Sequence, residues 1–172
     1  MKKLESKAIE QLLSIIPNHP ATRILHISSG GEEFCKALDE FTREREFEYQ
    51  LNVVDEDFYL RAKELFEDSR PSCIVKKMDY NQRRYTTMAK LYDFVFVTAT
   101  VPTQIEEEFV KKVHSLIKNG GNIILFLPKD DKASKYRWFQ TLEENFYVAT
   151  NSIDIFDNYE IVIAKKMHGW GG

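Results

Sequence analysis

The stretch FYVATNSIDIFDNYEIVIA, residues 146–164, decides the fold. Phe146 to Ile153 and Tyr159 to Ala164 both have the apolar, β-branched and aromatic character of strands. Only Asp154-Ile155-Phe156-Asp157-Asn158 separates them. That connector is too short for a helical crossover, so the two strands are expected to pair as an antiparallel hairpin. Upstream of it, helix and strand patterns alternate with short connectors, the signature of a parallel sheet. The expectation is a sheet that is parallel for five strands and closed by a hairpin.

Working back from that hairpin, a helix is expected over about 131–145, with Phe139 and Leu142 inward and Tyr136 and Trp138 as core or edge cover. Strand five is Ile123 to Leu127. Asn119-Gly120-Gly121 before it reads as a helix cap, because glycine tolerates the left-handed conformation of a helix end. That helix opens at Pro102-Thr103 and turns Ile105, Phe109, Val113 and Leu116 inward. Asp93 to Val97 is strand four, preceded by a weaker helical segment over about 81–91. Strand three is Cys73 to Met78. A helix beginning near Asp57 buries Phe58, Ala62, Leu65 and Phe66 and stops at Arg70-Pro71. Strand two is Tyr49 to Val54, a helix from about Glu32 buries Phe34, Leu38 and Phe41, and strand one covers about 23–28. A leading helix places Ile9, Leu12, Leu13 and Ile16 on one face and ends at Pro17-Asn18-His19-Pro20. One domain is expected: a leading helix within 1–20, a core over 21–166, and a tail over 167–172 that ends in His168-Gly169-Trp170-Gly171-Gly172.

Bulk composition narrows the class. The chain has 172 residues, 43% of them hydrophobic and 30% charged, ordinary values for a soluble globular protein. No apolar run approaches the roughly 20 residues that cross a bilayer. No secretory signal is visible, and Cys35 and Cys73 are far apart, so free thiols in the cytoplasm are expected, with no metal site and no membrane. A net charge of −3 argues against tight nonspecific binding to nucleic acid. Residues 1–70 carry 10 basic and 15 acidic residues, and residues 71–172 carry 14 and 12. The basic set Lys76-Lys77, Arg83-Arg84-Tyr85 and Lys90 reads either as a phosphate-contacting face for RNA or as a solvated face.

The stretch Arg23-Ile24-Leu25-His26-Ile27-Ser28-Ser29-Gly30-Gly31-Glu32-Glu33-Phe34 is a strand, a small-residue turn and a helix start. That arrangement lets a nucleotide-like ligand approach backbone. A pyrophosphate would sit on the helix N-terminus, and Glu32 and Glu33 already occupy that pole, which disfavours NAD, FAD or ATP held in this way. A ligand without phosphate and with positive charge suits the acidic surroundings better.

With these residues in view, the chain resembles the class I S-adenosylmethionine-dependent methyltransferases over nearly its whole length. The run Leu116-Ile117-Lys118-Asn119-Gly120-Gly121-Asn122-Ile123-Ile124-Leu125 is similar to the family's segment of leucine, lysine, proline, paired glycines and apolar strand. The resemblance implies a three-layer Rossmann-like α/β/α sandwich, strand order 3-2-1-4-5-7-6, with the seventh strand antiparallel. It implies S-adenosylmethionine as cofactor. The family's first motif, an acid followed by three alternate glycines, falls on His26, Ser28, Gly30 and Glu32, so one of its four positions is kept. Its second-strand acid, which accepts from the ribose hydroxyls, falls on Asp55, followed by Glu56 where an apolar residue is usual. Its third-strand acid falls on Asp79, beside Tyr80. After strand four the chain has Thr98-Ala99-Thr100-Val101-Pro102, without an acid, base or nucleophile.

The cofactor site implied by the resemblance is therefore Ser28, Gly30, Asp55, Asp79, Tyr80 and Thr98. His26 and all of these except Thr98 have a second reading from the residues themselves. Asp55 and Asp79 are equally suited to cap helices, His26 to be a satisfied core histidine, residues 28–31 to make a plain turn, and Tyr80 to pack. Two functions stay open: a methyltransferase whose substrate is a macromolecule, RNA or protein, and a methyltransferase-like interaction module without catalysis. A receiver-like domain is disfavoured, because Ile27-Ser28-Ser29 supplies no acidic cluster.

Overall fold

Strand β1 (Arg23–Ser28) shows how the sheet acquires two cores. Ile24 and His26 face one side and Leu25 and Ile27 the other, and all four are fully buried. A strand covered on both faces reads as a continuous buried run, as parallel sheets require. The structure is a computed structural model and describes residues 1–67, 70–86 and 89–167. Helices α1 (Ser6–Leu13), α2 (Glu32–Arg45) and α3 (Glu56–Phe66) cover the first face. Helices α4 (Glu106–His114) and α5 (Lys132–Glu144) cover the second.

The remaining strands are β2 (Glu48–Val53), β3 (Cys73–Lys77), β4 (Tyr92–Val97), β5 (Ile117–Pro128), β6 (Tyr147–Ile153) and β7 (Tyr159–Lys166). They form one seven-stranded sheet in the order β3-β2-β1-β4-β5-β7-β6. Strands β1 to β5 are parallel to one another. Strand β7 runs antiparallel between β5 and β6, as the short connector requires. The expected three-layer α/β/α architecture and its strand order are both present.

Four expectations are corrected. The described part of 81–91 forms turns, not a helix. Asp79 and Asn81 turn the chain through local hydrogen bonds, and Asn52 Nδ2 on β2 donates to the Tyr85 carbonyl at 2.8 Å, tying the segment to the sheet instead of to itself. Asn119-Gly120-Gly121 lies inside β5, not at a helix end. Helix α4 has already stopped at His114, where the Lys166 ammonium takes the carbonyls of His114 and Ile117 at 3.0 Å. The glycines serve a register irregularity against β4: Gly120 has φ 81°, and a Cβ at Gly121 would stand 2.9 Å from the Asp93 carbonyl. A single 3₁₀ turn, Thr103–Ile105, precedes α4, so the helix starts later than Pro102-Thr103. On α5, Trp138 and Leu142 are buried, whereas Tyr136 is 70% exposed and is not core. The tail residues 168–172 lie outside the described residues.

Candidate functional site

The strand order brings four sequence-distant chain ends together at the C-terminal edge of the sheet. In spatial sequence these are Asp79 and Tyr80 after β3, Asp55 after β2, Ser28 to Gly30 at the end of β1, and Thr98 after β4. The direction of crossover reverses between β1 and β4, and ligands of open α/β sheets bind at such a point. All six residues of the implied site therefore share one edge.

Their side chains are already partly engaged. Ser28 is fully buried, and its Oγ donates to the Gly30 carbonyl at 2.6 Å and accepts from Gly30 N–H at 3.1 Å. The serine that replaces the motif's glycine is thus folded into the turn. A Cβ at Gly30 would meet nothing within 4 Å, so the backbone there is open to an approaching group. Asp55 is exposed at the N-cap of α3, where its Oδ2 accepts from Phe58 N–H at 2.8 Å. Asp79 is exposed and its Oδ1 accepts from Asn81 N–H at 2.8 Å. A carboxylate accepts through both oxygens, so each acid keeps capacity for a ligand hydroxyl or amine. Tyr80 donates its hydroxyl to the Thr100 carbonyl at 3.0 Å, and its ring meets Phe109 edge-on at 5.8 Å. It ties the loop after β3 to the loop after β4, and burial pushes its hydroxyl up to about 12.

His26 is a core histidine. Its two ring nitrogens hydrogen-bond the Tyr49 hydroxyl at 3.0 Å and Thr98 Oγ1 at 2.8 Å. Burial pulls it down to about 3, so the ring is neutral at neutral pH. The same burial pushes the neighbouring Cys35 thiol up to about 12, which leaves it unreactive. Thr98 reaches the site with its hydroxyl committed to His26.

Charge at the head of α2 is milder than the sequence implies. Glu32 pairs with Lys36 at 2.9 Å and with Arg61 of α3 at 3.3 Å, and these partners hold its carboxyl below the ordinary range. Glu56 is paired with Lys77. A ligand carboxylate at this turn therefore meets a compensated Glu32. On the basic face, Tyr85 is buried, so Arg83 and Arg84 have no stacking ring beside them from that residue.

No protein-family model matches the chain, and no curated protein sequence does. Solved structures do match. An S-adenosylmethionine-dependent O-methyltransferase from Thermotoga maritima superposes with a TM-score of 0.72 at 13% identity, over 100% of this chain and 69% of that one. A methyltransferase from Aquifex aeolicus gives 0.67 at 13% identity, over 91% and 88%. The CurJ carbon methyltransferase gives 0.70 at 14% identity, over 92% of this chain and 52% of that one. The chain has the class I methyltransferase fold. It spans about half the length of the CurJ enzyme.

Sequence reading missed several groups that shape this methyltransferase-fold edge. Glu106, in the run Glu106-Glu107-Glu108, is 4% exposed and receives a two-pronged contact from Arg137 at 2.6 and 3.0 Å. This pair staples α4 to α5 beside a 140 Å³ cavity at the exits of β4 and β5, which Thr100, Leu125 and Trp138 also line. Nothing in a run of three acids marks which one turns inward. Arg61 and the N-terminal residues Met1–Leu4 were likewise invisible, because their partners are distant in sequence.

Proposed function

We propose that this chain binds S-adenosylmethionine across the C-terminal ends of β1, β2 and β4 and acts as a methyltransferase. The observation that carries the reading is the strand order, which sets the exposed Asp79 and Asp55 at neighbouring strand ends next to the open backbone of Gly30. Gly30, Asp55, Asp79 and Tyr80 would hold the cofactor, with the carboxylates of Asp55 and Asp79 toward its ribose and adenine hydrogen-bond donors. When bound, the cofactor supplies a methyl group already activated by a sulfonium. The chain then needs to align and desolvate more than to move protons. Thr98 to Pro102 contain no acid or base, in keeping with that division of labour. We propose a cytoplasmic location, in keeping with two buried cysteines that form no disulfide, and a macromolecular substrate. Among the described residues no helix is long and apolar enough to cross a membrane.

A second reading, a methyltransferase-like module without catalysis, is favoured by one set of contacts. Gly30 N–H is taken by Ser28, and the Thr98 hydroxyl by His26. Calorimetry with S-adenosylhomocysteine separates the two. Asp55→Ala removes both the ligand acceptor and the α3 cap, and the cap alone is worth about 1 kcal/mol of stability. Asp55→Ser keeps a capping oxygen. Both variants are expected to lose at least tenfold in affinity, while Asp55→Ser stays within about 0.5 kcal/mol of the parent in urea unfolding. No heat at millimolar ligand with the parent protein supports the module.

A further inference from the structure

Residues Met1–Leu4 form a strap against Gly31–Phe34, at the helix end of the turn that the cofactor would use. Gly31, the N-cap of α2, has φ 79°, and the Met1 Sδ lies 2.6 Å from where a Cβ on Gly31 would stand. Only glycine both adopts that backbone conformation and leaves room for the thioether. Between the strap and the residues Gly31–Phe34 lies a cavity of 440 Å³. The two ends of the strap are held unequally. Leu4 is 4% exposed within the α1–α2 core, whereas Met1 is 48% exposed. Between them, the Lys2 backbone N–H donates to the Tyr159 hydroxyl at 2.8 Å, at the start of β7. Among the described residues, one hydrogen bond from Lys2 and the half-exposed Met1 side chain hold the strap ahead of Leu4, so lifting residues 1–3 costs little, while Leu4 supplies a fixed hinge.

We propose that this strap is a built-in competitor for the cofactor site: the Met1 side chain packs on Gly31, next to the open backbone of Gly30, and leaves when an adenosyl ligand seats across the turn. The inference rests on the cofactor reading above. It assigns to residues 1–3 a regulatory role, because the apparent affinity falls by the fraction of molecules in which the strap is lifted. Anything that binds Lys2 and Lys3 or withdraws the strap then raises cofactor affinity without touching the site itself.

Calorimetry with S-adenosylhomocysteine on three proteins tests this: the parent, Tyr159→Phe, and a chain lacking residues 1–3. Tyr159→Phe removes only a hydroxyl and keeps the ring that packs on Phe126. The expected result is affinity raised about threefold to tenfold in both variants, the range of one lost hydrogen bond. In the parent, carbon-13 methyl NMR is expected to move the Met1 signal to a solvent-exposed position as ligand saturates. Equal affinity in all three overturns the strap proposal and leaves the cofactor reading standing. Weaker binding by the shortened chain also overturns it, since the strap is then a wall of the site. Absence of binding in all three removes the cofactor reading and the strap proposal with it.

Discussion

Replacing Arg137 with alanine is expected to destabilise the fold by roughly 2–3 kcal/mol, read as a lowered urea midpoint. Glu106 is 4% exposed and depends on Arg137 for both of its carboxylate contacts. Removing one partner of a buried pair leaves a charge in a poor solvent, and that penalty exceeds the worth of the pair itself. The figure sits below the usual range for a fully buried pair because Arg137 is 38% exposed, so water enters once the guanidinium is gone. The double variant Glu106→Leu with Arg137→Met is expected to recover most of the loss, because nothing charged is then left stranded. If Arg137→Ala alone unfolds at the parent's midpoint, the pair is not the staple between α4 and α5.

The second large effect is pH dependence from His26. In the folded chain His26 titrates at about 3, whereas an unfolded histidine titrates near 6.5. Between those values the unfolded state takes up a proton that the native state refuses. Stability from this group is therefore complete above pH 6.5 and falls with acidification, by about 1.4 kcal/mol per pH unit, down to about pH 3. His114 adds a slope of the same sign, since burial and then the nearby Lys166 lower it too. His26→Gln removes the first contribution and leaves the second. Urea unfolding at pH 7.0, 6.0 and 5.0 is expected to give a much flatter acid slope in His26→Gln than in the parent. Equal slopes would mean that His26 takes up its proton in the folded state.

These effects arise from the part of the molecule that the sequence conceals. Local patterns carried the fold: the five-residue connector between Ile153 and Tyr159 forced an antiparallel pair, and the buried runs at Ile24–Ile27 and Val95–Val97 marked strands covered on both faces. The same local logic failed at Asn119–Gly121. Glycines suit a helix cap and a sheet irregularity equally, and only the Asp93 carbonyl across the sheet tells them apart. It failed again over 81–91, where the Asn52 amide, 33 residues before Tyr85, anchors the chain in place of helical hydrogen bonds.

At the candidate site, the positions of Asp55 and Asp79 followed from the strand ends, and so did the cap role of Asp55; Asp79 holds a turn instead, because no helix starts after it. The pairs Glu32–Arg61 and Glu106–Arg137 span 29 and 31 residues, beyond any helical spacing. Ser28 carries the clearest lesson. As a departure from a glycine motif it looks like an obstruction, yet its hydroxyl turns inward and the backbone at Gly30 stays open.

The most direct test of the cofactor site is a crystal structure of the chain grown with saturating S-adenosylhomocysteine. An adenosyl group is expected over Gly30, with its ribose hydroxyls within hydrogen-bonding distance of the Asp55 carboxylate and Met1 lifted from Gly31. A ligand bound elsewhere, or a turn still covered by Met1 with Asp55 facing only water, would contradict it.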